Sequence, residues 1–162
     1  KENPEYETDL IEATTLVSDT NNSKTVIELG HYYLAKKDKE KALENFEAAL
    51  KLEPNNFEVL RNIILLYIDL KKFDLAKEKS GDALEIYPSQ PLLYLINGVA
   101  LNEMNKPKEA LESLETGLDY IIEDTKIEAD FYNQLSKAHT LLNNTTKAKA
   151  FSDKAKQLQS PN

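Results

Sequence analysis

The sequence repeats itself at a fixed interval of about 34 residues, and this spacing limits the possible folds more than any other feature. Ala42, Ala49 and Pro54 return as Ala76, Ala83 and Pro88. A third series of small and apolar residues follows in the same phase, and a fourth follows four residues late. A unit of this length cannot bury its apolar face alone, so successive units must stack in phase on a shared core.

Each unit is predicted to contain two helices of about 14 residues. In the first unit these helices span about Ser23–Lys36 and Lys39–Leu52, because apolar residues recur there three or four positions apart. Asp38 is placed to cap the second helix. Pro54 ends that helix, since proline disfavours helical geometry in the residue before it. Pro107 suits the first turn of a helix, where its missing N–H costs nothing.

The repeat unit resembles the tetratricopeptide repeat (TPR), whose consensus is W-x2-L-G-x2-Y, then A-x3-F, then P. The first unit carries most of that pattern in Leu29, Gly30, Tyr33, Ala42, Phe46 and Pro54. The chain has no tryptophan, and the consensus place is held by Val26, Leu60, Tyr94 and Tyr132. Two further departures are Ser80 in place of the aromatic residue and His139 in place of the tyrosine.

The resemblance covers about residues 23–162 and implies an all-α fold, a right-handed α-solenoid of antiparallel helix pairs. Four units are expected in one continuous domain, at residues 23–56, 57–90, 91–128 and 129–162, the last including a C-terminal cap. The linker that ends the third unit is expected to lengthen a helix by about one turn. Residues 1–22 are predicted to form an amphipathic helix, either a half repeat of a longer array or an N-terminal cap.

Composition excludes several classes of function. The net charge is −8 and Arg61 is the one arginine beside 19 lysines, which is unlike a nucleic-acid-binding protein. No apolar run reaches the roughly 18 residues of a membrane span, so no membrane insertion is expected. The absence of cysteine excludes disulfides and thiol chemistry. We expect a soluble protein, cytoplasmic or periplasmic if the parent chain carries a signal peptide, and the Lys- and Asn-rich usage favours a bacterial source.

No catalytic, cofactor or metal site is predicted. The two histidines, His31 and His139, fall in different units, and no third ligand stands at metal-binding spacing. Most acidic residues lie among lysines at helical spacing, which is typical of a solvated helix face. The sequence contains no glycine-rich phosphate loop and no nucleophile elbow. We therefore expect a protein that is not an enzyme and that needs no cofactor.

Partners of the resembled family bind on the concave surface, which is lined by the first helices of successive repeats. The resemblance therefore implies a partner-binding face for a protein or peptide. It comprises Ile27, His31, Arg61, Asn62, Leu65, Leu92, Leu95, Ile96, Val99, Asn133, Gln134 and Lys137. Arg61 is expected to pair either with a carboxylate of the partner or, within the chain, with Glu58 or Asp69.

The first helix of the third unit is apolar nearly all round. Once its core positions are assigned, four apolar side chains remain on a face expected to meet solvent: Leu92, Leu95, Ile96 and Val99. A helix that is apolar on every side is normally covered. Three covers stay open, namely a partner peptide, a second copy of the chain and the chain's own N-terminal segment. The first predicts a scaffold that binds a partner, and the second predicts a homodimer.

Overall fold

The computed structural model describes residues 22–159, which form eight α-helices and no strand. The helices are α1 (Ser23–Ala35), α2 (Lys39–Leu52), α3 (Phe57–Asp69), α4 (Phe73–Ile86), α5 (Pro91–Glu103), α6 (Pro107–Leu118), α7 (Thr125–Leu141) and α8 (Thr145–Gln159). The chain divides within α3 into two compact units, residues 1–66 and 67–162. The all-α prediction is confirmed, and the helix predicted for residues 1–22 lies, apart from Asn22, outside the described residues.

Local sequence signals set the helix boundaries. The helix predicted at Lys39–Leu52 has those bounds, and the Asp38 side chain caps it by accepting a hydrogen bond from the Lys41 backbone N–H at 3.1 Å. The helix ends two residues before Pro54. Pro107 is the first residue of α6. Capping by a short acidic side chain and helix termination before proline therefore act here as predicted.

The turn between the two helices of each repeat is the same in all four repeats. Its central residue has a left-handed backbone conformation, with φ of 62° at Lys37, 56° at Lys71, 56° at Asn105 and 57° at Asn143. The next residue donates its N–H to the carbonyl five positions back, as Asp38 does to Tyr33 at 2.9 Å. This bond satisfies a carbonyl that the end of the first helix leaves free. The first three turns are evenly spaced and the fourth comes four residues late, in agreement with the late fourth repeat.

The extra residues before the fourth repeat become helix. α7 has 17 residues, whereas α1, α3 and α5 each have 13. The start of α7, Thr125, keeps the regular repeat spacing from the start of α5, whereas its end, Leu141, comes four residues later than that spacing predicts. The prediction that the linker lengthens a helix by about one turn is confirmed.

Glycine allows the two helices of a repeat to approach closely. A Cβ atom added at Gly30 would lie 2.7 Å from the Phe46 ring, and one added at Gly98 would lie 2.5 Å from Leu114. Both distances are shorter than van der Waals contact, so an alanine at either position requires a shift of its neighbour. The large residue of one helix therefore fills the space left by the missing side chain of the other.

The core within residues 67–159 lies where α5, α6 and α7 pack together, and α8 packs on α7. Its buried members are Leu95, Leu101, Ala110, Leu114, Phe131, Leu135 and Ala138.

In the second repeat, Ser80 occupies the place of the aromatic residue and is also fully buried. Its hydroxyl donates to the Lys77 carbonyl at 3.0 Å and accepts from the Asn97 amide at 3.0 Å. The buried hydroxyl is thus fully hydrogen-bonded.

Candidate partner-binding surface

Two of the four apolar residues predicted to meet solvent are buried in the chain itself. Leu95 is 7% exposed and Ile96 is 3% exposed. Leu95 belongs to the core cluster together with Phe131 and Leu135 of α7. The expectation that Leu95 and Ile96 face solvent is wrong, and for Leu95 the physical reason is clear. The first helix of the next repeat packs against α5 and draws Leu95 into the core.

The other two apolar residues, Leu92 and Val99, are half-buried. Both pack against the edge of the core cluster rather than within it. Part of each side chain is therefore left for a further contact. The apolar surface of α5 is smaller than the sequence predicts, but it is not abolished.

Side-chain hydrogen bonds join α5 to α7 beside these apolar residues. The Asn102 amide nitrogen donates to the Gln134 backbone carbonyl at 3.0 Å and to the Gln134 side-chain Oε1 at 3.1 Å. One turn further along α7, Lys137 forms an ion pair with Glu103. Gln134 and Lys137, both predicted to contact a partner, are thus engaged within the chain.

The exposed stripe of α7 runs beside these bonds. Asp130, Asn133 and Leu141 are exposed. Together with Lys137 they follow one another at intervals of three or four residues, which places all four on one face of the helix. Leu141 keeps 38% of its surface exposed. We use the name α5/α7 surface for Leu92 and Val99 of α5 with Asp130, Asn133, Lys137 and Leu141 of α7.

In residues 22–66 the predicted face contains a histidine–carboxylate pair. The His31 Nε2 lies 3.2 Å from the Glu58 Oε1, which joins α1 to α3, and the His31 ring meets the Phe46 ring edge-on at 5.1 Å. Ile27 is half-buried at the preceding turn of α1. Glu58, one of the carboxylates expected to pair with Arg61, therefore has His31 as its neighbour.

The α3 residues of the predicted face differ in exposure. Arg61 and Asn62 are half-buried, and Leu65 is exposed. The Asn62 amide nitrogen is buried and finds no hydrogen-bond partner within the described residues. A buried amide donor without an acceptor costs free energy.

His139 is a structural residue in α7. Its ring is buried and stacks flat on Phe151 of α8, with centroids 5.5 Å apart and planes at 5°. Burial lowers the pKa of His139 below its ordinary value of 6.5, the charge of Lys147 lowers it further, and Glu115 opposes the shift. The histidine that replaces the consensus tyrosine therefore fills a core position.

Stability should fall as the pH drops below about 6.5, because His139 binds a proton less readily in the folded state than in the unfolded state. This stabilisation is complete above the unfolded-state pKa and is lost as the pH falls toward the lowered pKa of the folded state. His139→Phe keeps a stacking ring and removes the titration. Its melting temperature should therefore change less than that of the wild type between about pH 7.5 and 5.5. Equal changes in the two proteins would contradict this assignment.

Glu103, which joins α5 to α7 through its ion pair with Lys137, was not predicted as part of the site. For Asn102, an amide in a mostly apolar helix favours a buried hydrogen bond over solvent exposure. Among residues 22–159 there is no cluster of three side chains suited to a metal ion. Within the same range no helix is both long and apolar enough to cross a bilayer.

The comparisons with known proteins agree on one family. A family model described as tetratricopeptide repeat matches residues 17–159. The chain is 33% identical over 90 residues to the small glutamine-rich tetratricopeptide repeat-containing protein 2 of Saccharomyces cerevisiae, and the aligned segment covers 56% of this chain and 26% of that protein. It is 37% identical over 65 residues to the BBSome complex member BBS4 of Bos taurus, and the aligned segment covers 40% of this chain and 12% of that protein. The chain thus spans only a small part of these relatives.

Solved structures with the same fold include those of MamA. One crystal structure of MamA aligns with a TM-score of 0.77 at 17% identity, over 90% of this chain and 83% of that chain. A MamA structure from Desulfovibrio magneticus RS-1 aligns with a TM-score of 0.75 at 19% identity, over 86% of this chain and 76% of that chain. These likenesses show the fold alone, and they confirm the predicted class, an α-solenoid of antiparallel helix pairs. With the family model matching most of its length, the chain belongs to the tetratricopeptide repeat family.

Proposed function

We propose that this chain is a non-catalytic scaffold that binds a segment of a partner protein on the faces of its first helices. Family membership supports protein–protein interaction as the general role. The proposal specifies which surfaces bind the partner segment and which chemical groups of that segment they recognise. It concerns the α5/α7 surface and, separately, the face formed by α1 and α3 in residues 22–66.

The observation that carries the proposal is the exposure left on the α5/α7 surface after the two helices have packed. Leu141 and Asn133 stay exposed, and Val99 stays half-buried, although the neighbouring Leu95 is drawn into the core. Apolar side chains beside the exposed amide of Asn133 suit an extended or helical partner segment. The apolar residues would bury its side chains, and Asn133 would hydrogen-bond its backbone or polar groups.

The face of α1 and α3 offers different chemistry. Arg61 is half-buried, and Leu65 is exposed one turn further along the helix. The guanidinium favours a carboxylate of the partner, held by charge-assisted hydrogen bonds. We propose that this face binds an acidic residue followed by an apolar one.

A photocrosslinking amino acid at position 133 tests the proposal. Expressed in the cells from which the protein comes, Asn133→benzoylphenylalanine should give a discrete adduct with another protein. The matched control is Ala150→benzoylphenylalanine, at an exposed position of α8 outside the proposed surface. It should give no such adduct. The proposal fails if the two positions give the same adducts or if neither gives any.

The same experiment tests the alternative of a homodimer through the apolar patch of the third repeat. Two of the four residues of that patch, Leu95 and Ile96, are buried within the chain and cannot contribute to a dimer interface. An adduct at position 133 with twice the mass of the chain would favour the dimer over a separate partner.

A further inference from the structure

The loop between α6 and α7 carries an apolar side chain that the rest of residues 22–159 leaves uncovered. Ile122 is 87% exposed, whereas the next most exposed large apolar residue among those described, Ile86, is 48% exposed. The loop is longer than the loops that follow α2 and α4, because α6 ends early. It takes no part in the α5/α7 surface proposed above.

The loop is held in place on both sides of Ile122. The Tyr120 ring stacks on the Tyr94 ring, with centroids 5.5 Å apart and planes at 12°, and the Tyr94 hydroxyl donates to the Pro88 carbonyl at 2.8 Å. On the other side, the Asp124 carboxylate accepts from the Ile127 N–H at 3.0 Å and caps α7. Ile122 is therefore presented by a pre-ordered segment, which lowers the entropic cost of binding.

The backbone between Ile122 and the cap of α7 makes a left-handed turn. Glu123 has φ of 49°, in the left-handed region that disfavours residues with a side chain. Among the described residues it is the one left-handed position outside the four repeated turns. The left-handed residue fixes the direction of the chain between Ile122 and the cap of α7, so it adds to the order of the segment that presents Ile122.

The residues around Ile122 in the sequence carry a net negative charge. Between positions 119 and 128 the chain carries four acidic residues and one lysine: Asp119, Glu123, Asp124 and Glu128, with Lys126. An occupant that covers Ile122 must pass close to these carboxylates, so complementarity requires lysine or arginine around its apolar part. A second copy of this chain, with a net charge of −8, is disfavoured by repulsion.

We propose that the Ile122 loop, residues 119–124, is a second docking surface, and that its occupant is a basic amphipathic segment of another protein. Ile122 inserts among the apolar side chains of that segment. The carboxylates of Asp119, Glu123 and Asp124 pair with the lysine or arginine residues beside them. The hydrophobic contact supplies affinity, and the acidic rim selects a basic partner over a neutral or acidic one.

The test is a binding measurement with defined peptides. A fluorescently labelled amphipathic helical peptide of leucine and lysine is titrated with the chain, and binding is followed by anisotropy. Ile122→Ser should weaken binding about tenfold, and Glu123→Gln should weaken it and reduce its dependence on salt. The matched control is Leu75→Ser, at an exposed leucine of α4, which should bind like the wild type. Because Ile122 is exposed, Ile122→Ser should keep the wild-type melting temperature.

Three results would overturn the proposal. Equal weakening by Leu75→Ser and Ile122→Ser would show that the peptide binds without regard to the loop. Equal affinity for a peptide of serine and lysine would show that charge alone drives the binding. A mass that rises with concentration in the wild type but not in Ile122→Ser would make a second copy the occupant. Crosslinking at position 133 is independent of these results, so the two proposals can fail separately.

Discussion

Asn102→Asp is expected to lower the free energy of unfolding by about 3–5 kcal/mol at neutral pH. Asn102 is 3% exposed, and its amide nitrogen donates both hydrogen bonds to oxygen atoms of Gln134. A carboxylate at this position would lose both bonds and place its charge against two acceptors. Urea unfolding followed by circular dichroism measures the change. The loss should shrink as the pH falls, because a protonated carboxyl can again donate.

Two variants serve as controls for this prediction. Asn133→Asp makes the same chemical change at an exposed position of α7 and should alter stability by less than about 0.5 kcal/mol. Asn102→Leu should be far less destabilising than Asn102→Asp, since it also removes the Asn102 Oδ1, a buried acceptor that finds no partner among residues 22–159. If Asn102→Asp proves as stable as Asn133→Asp, the hydrogen bonds between α5 and α7 do not form as described.

Gly117→Ala is expected to destabilise the chain by about 1–3 kcal/mol, although alanine favours helix over glycine. Gly117 lies in the last turn of α6, where an added Cβ would stand 2.5 Å from the Tyr94 Cβ and 2.7 Å from the Phe131 ring. The Tyr94 Cβ is attached directly to the backbone of α5, so the clash cannot be relieved by rotating a side chain. The helices would have to separate, and the midpoint of urea unfolding should fall accordingly.

Gly81→Ala provides the matched comparison. Gly81 lies within α4, and apart from its chain neighbours and the backbone of its own helix no described atom comes within 4 Å of an added Cβ there. The same substitution should therefore stabilise the chain by about 1 kcal/mol through helix propensity alone. If both variants shift the midpoint in the same direction, close approach of helices at Gly117 is not the reason for its glycine.

Much of the fold could be predicted because its determinants are local. The bounds of α2, the cap at Asp38 and the start of α6 at Pro107 each follow from a few neighbouring residues. The extra turn of α7 followed from the lag of the fourth repeat, since residues added between periodic segments must become loop or helix. The repeat then assigned every helix to a place in the series.

The candidate site was harder to predict because it depends on which faces of a helix its neighbours cover. The consensus marks the positions that pack between the two helices of one repeat. It does not show how far α7 covers α5, so Leu95 was predicted to be exposed although it is 7% exposed. For the same reason Gln134 was predicted to be available, although it accepts from Asn102. Those contacts join positions far apart in the sequence, so the pattern of one helix does not show which residue of another helix is its partner.

The length of α7 has a consequence for which insertions this chain can accept. Four added residues advance a helix by slightly more than one full revolution, so the side chains beyond them return to within about 40° of their former directions. An insertion of two residues would instead turn those side chains by about 200° and carry their apolar stripe away from the core. At such a junction the helix therefore tolerates insertions of about one whole turn but not insertions of about half a turn. The longer interval between the turns at Asn105 and Asn143 is one such increment.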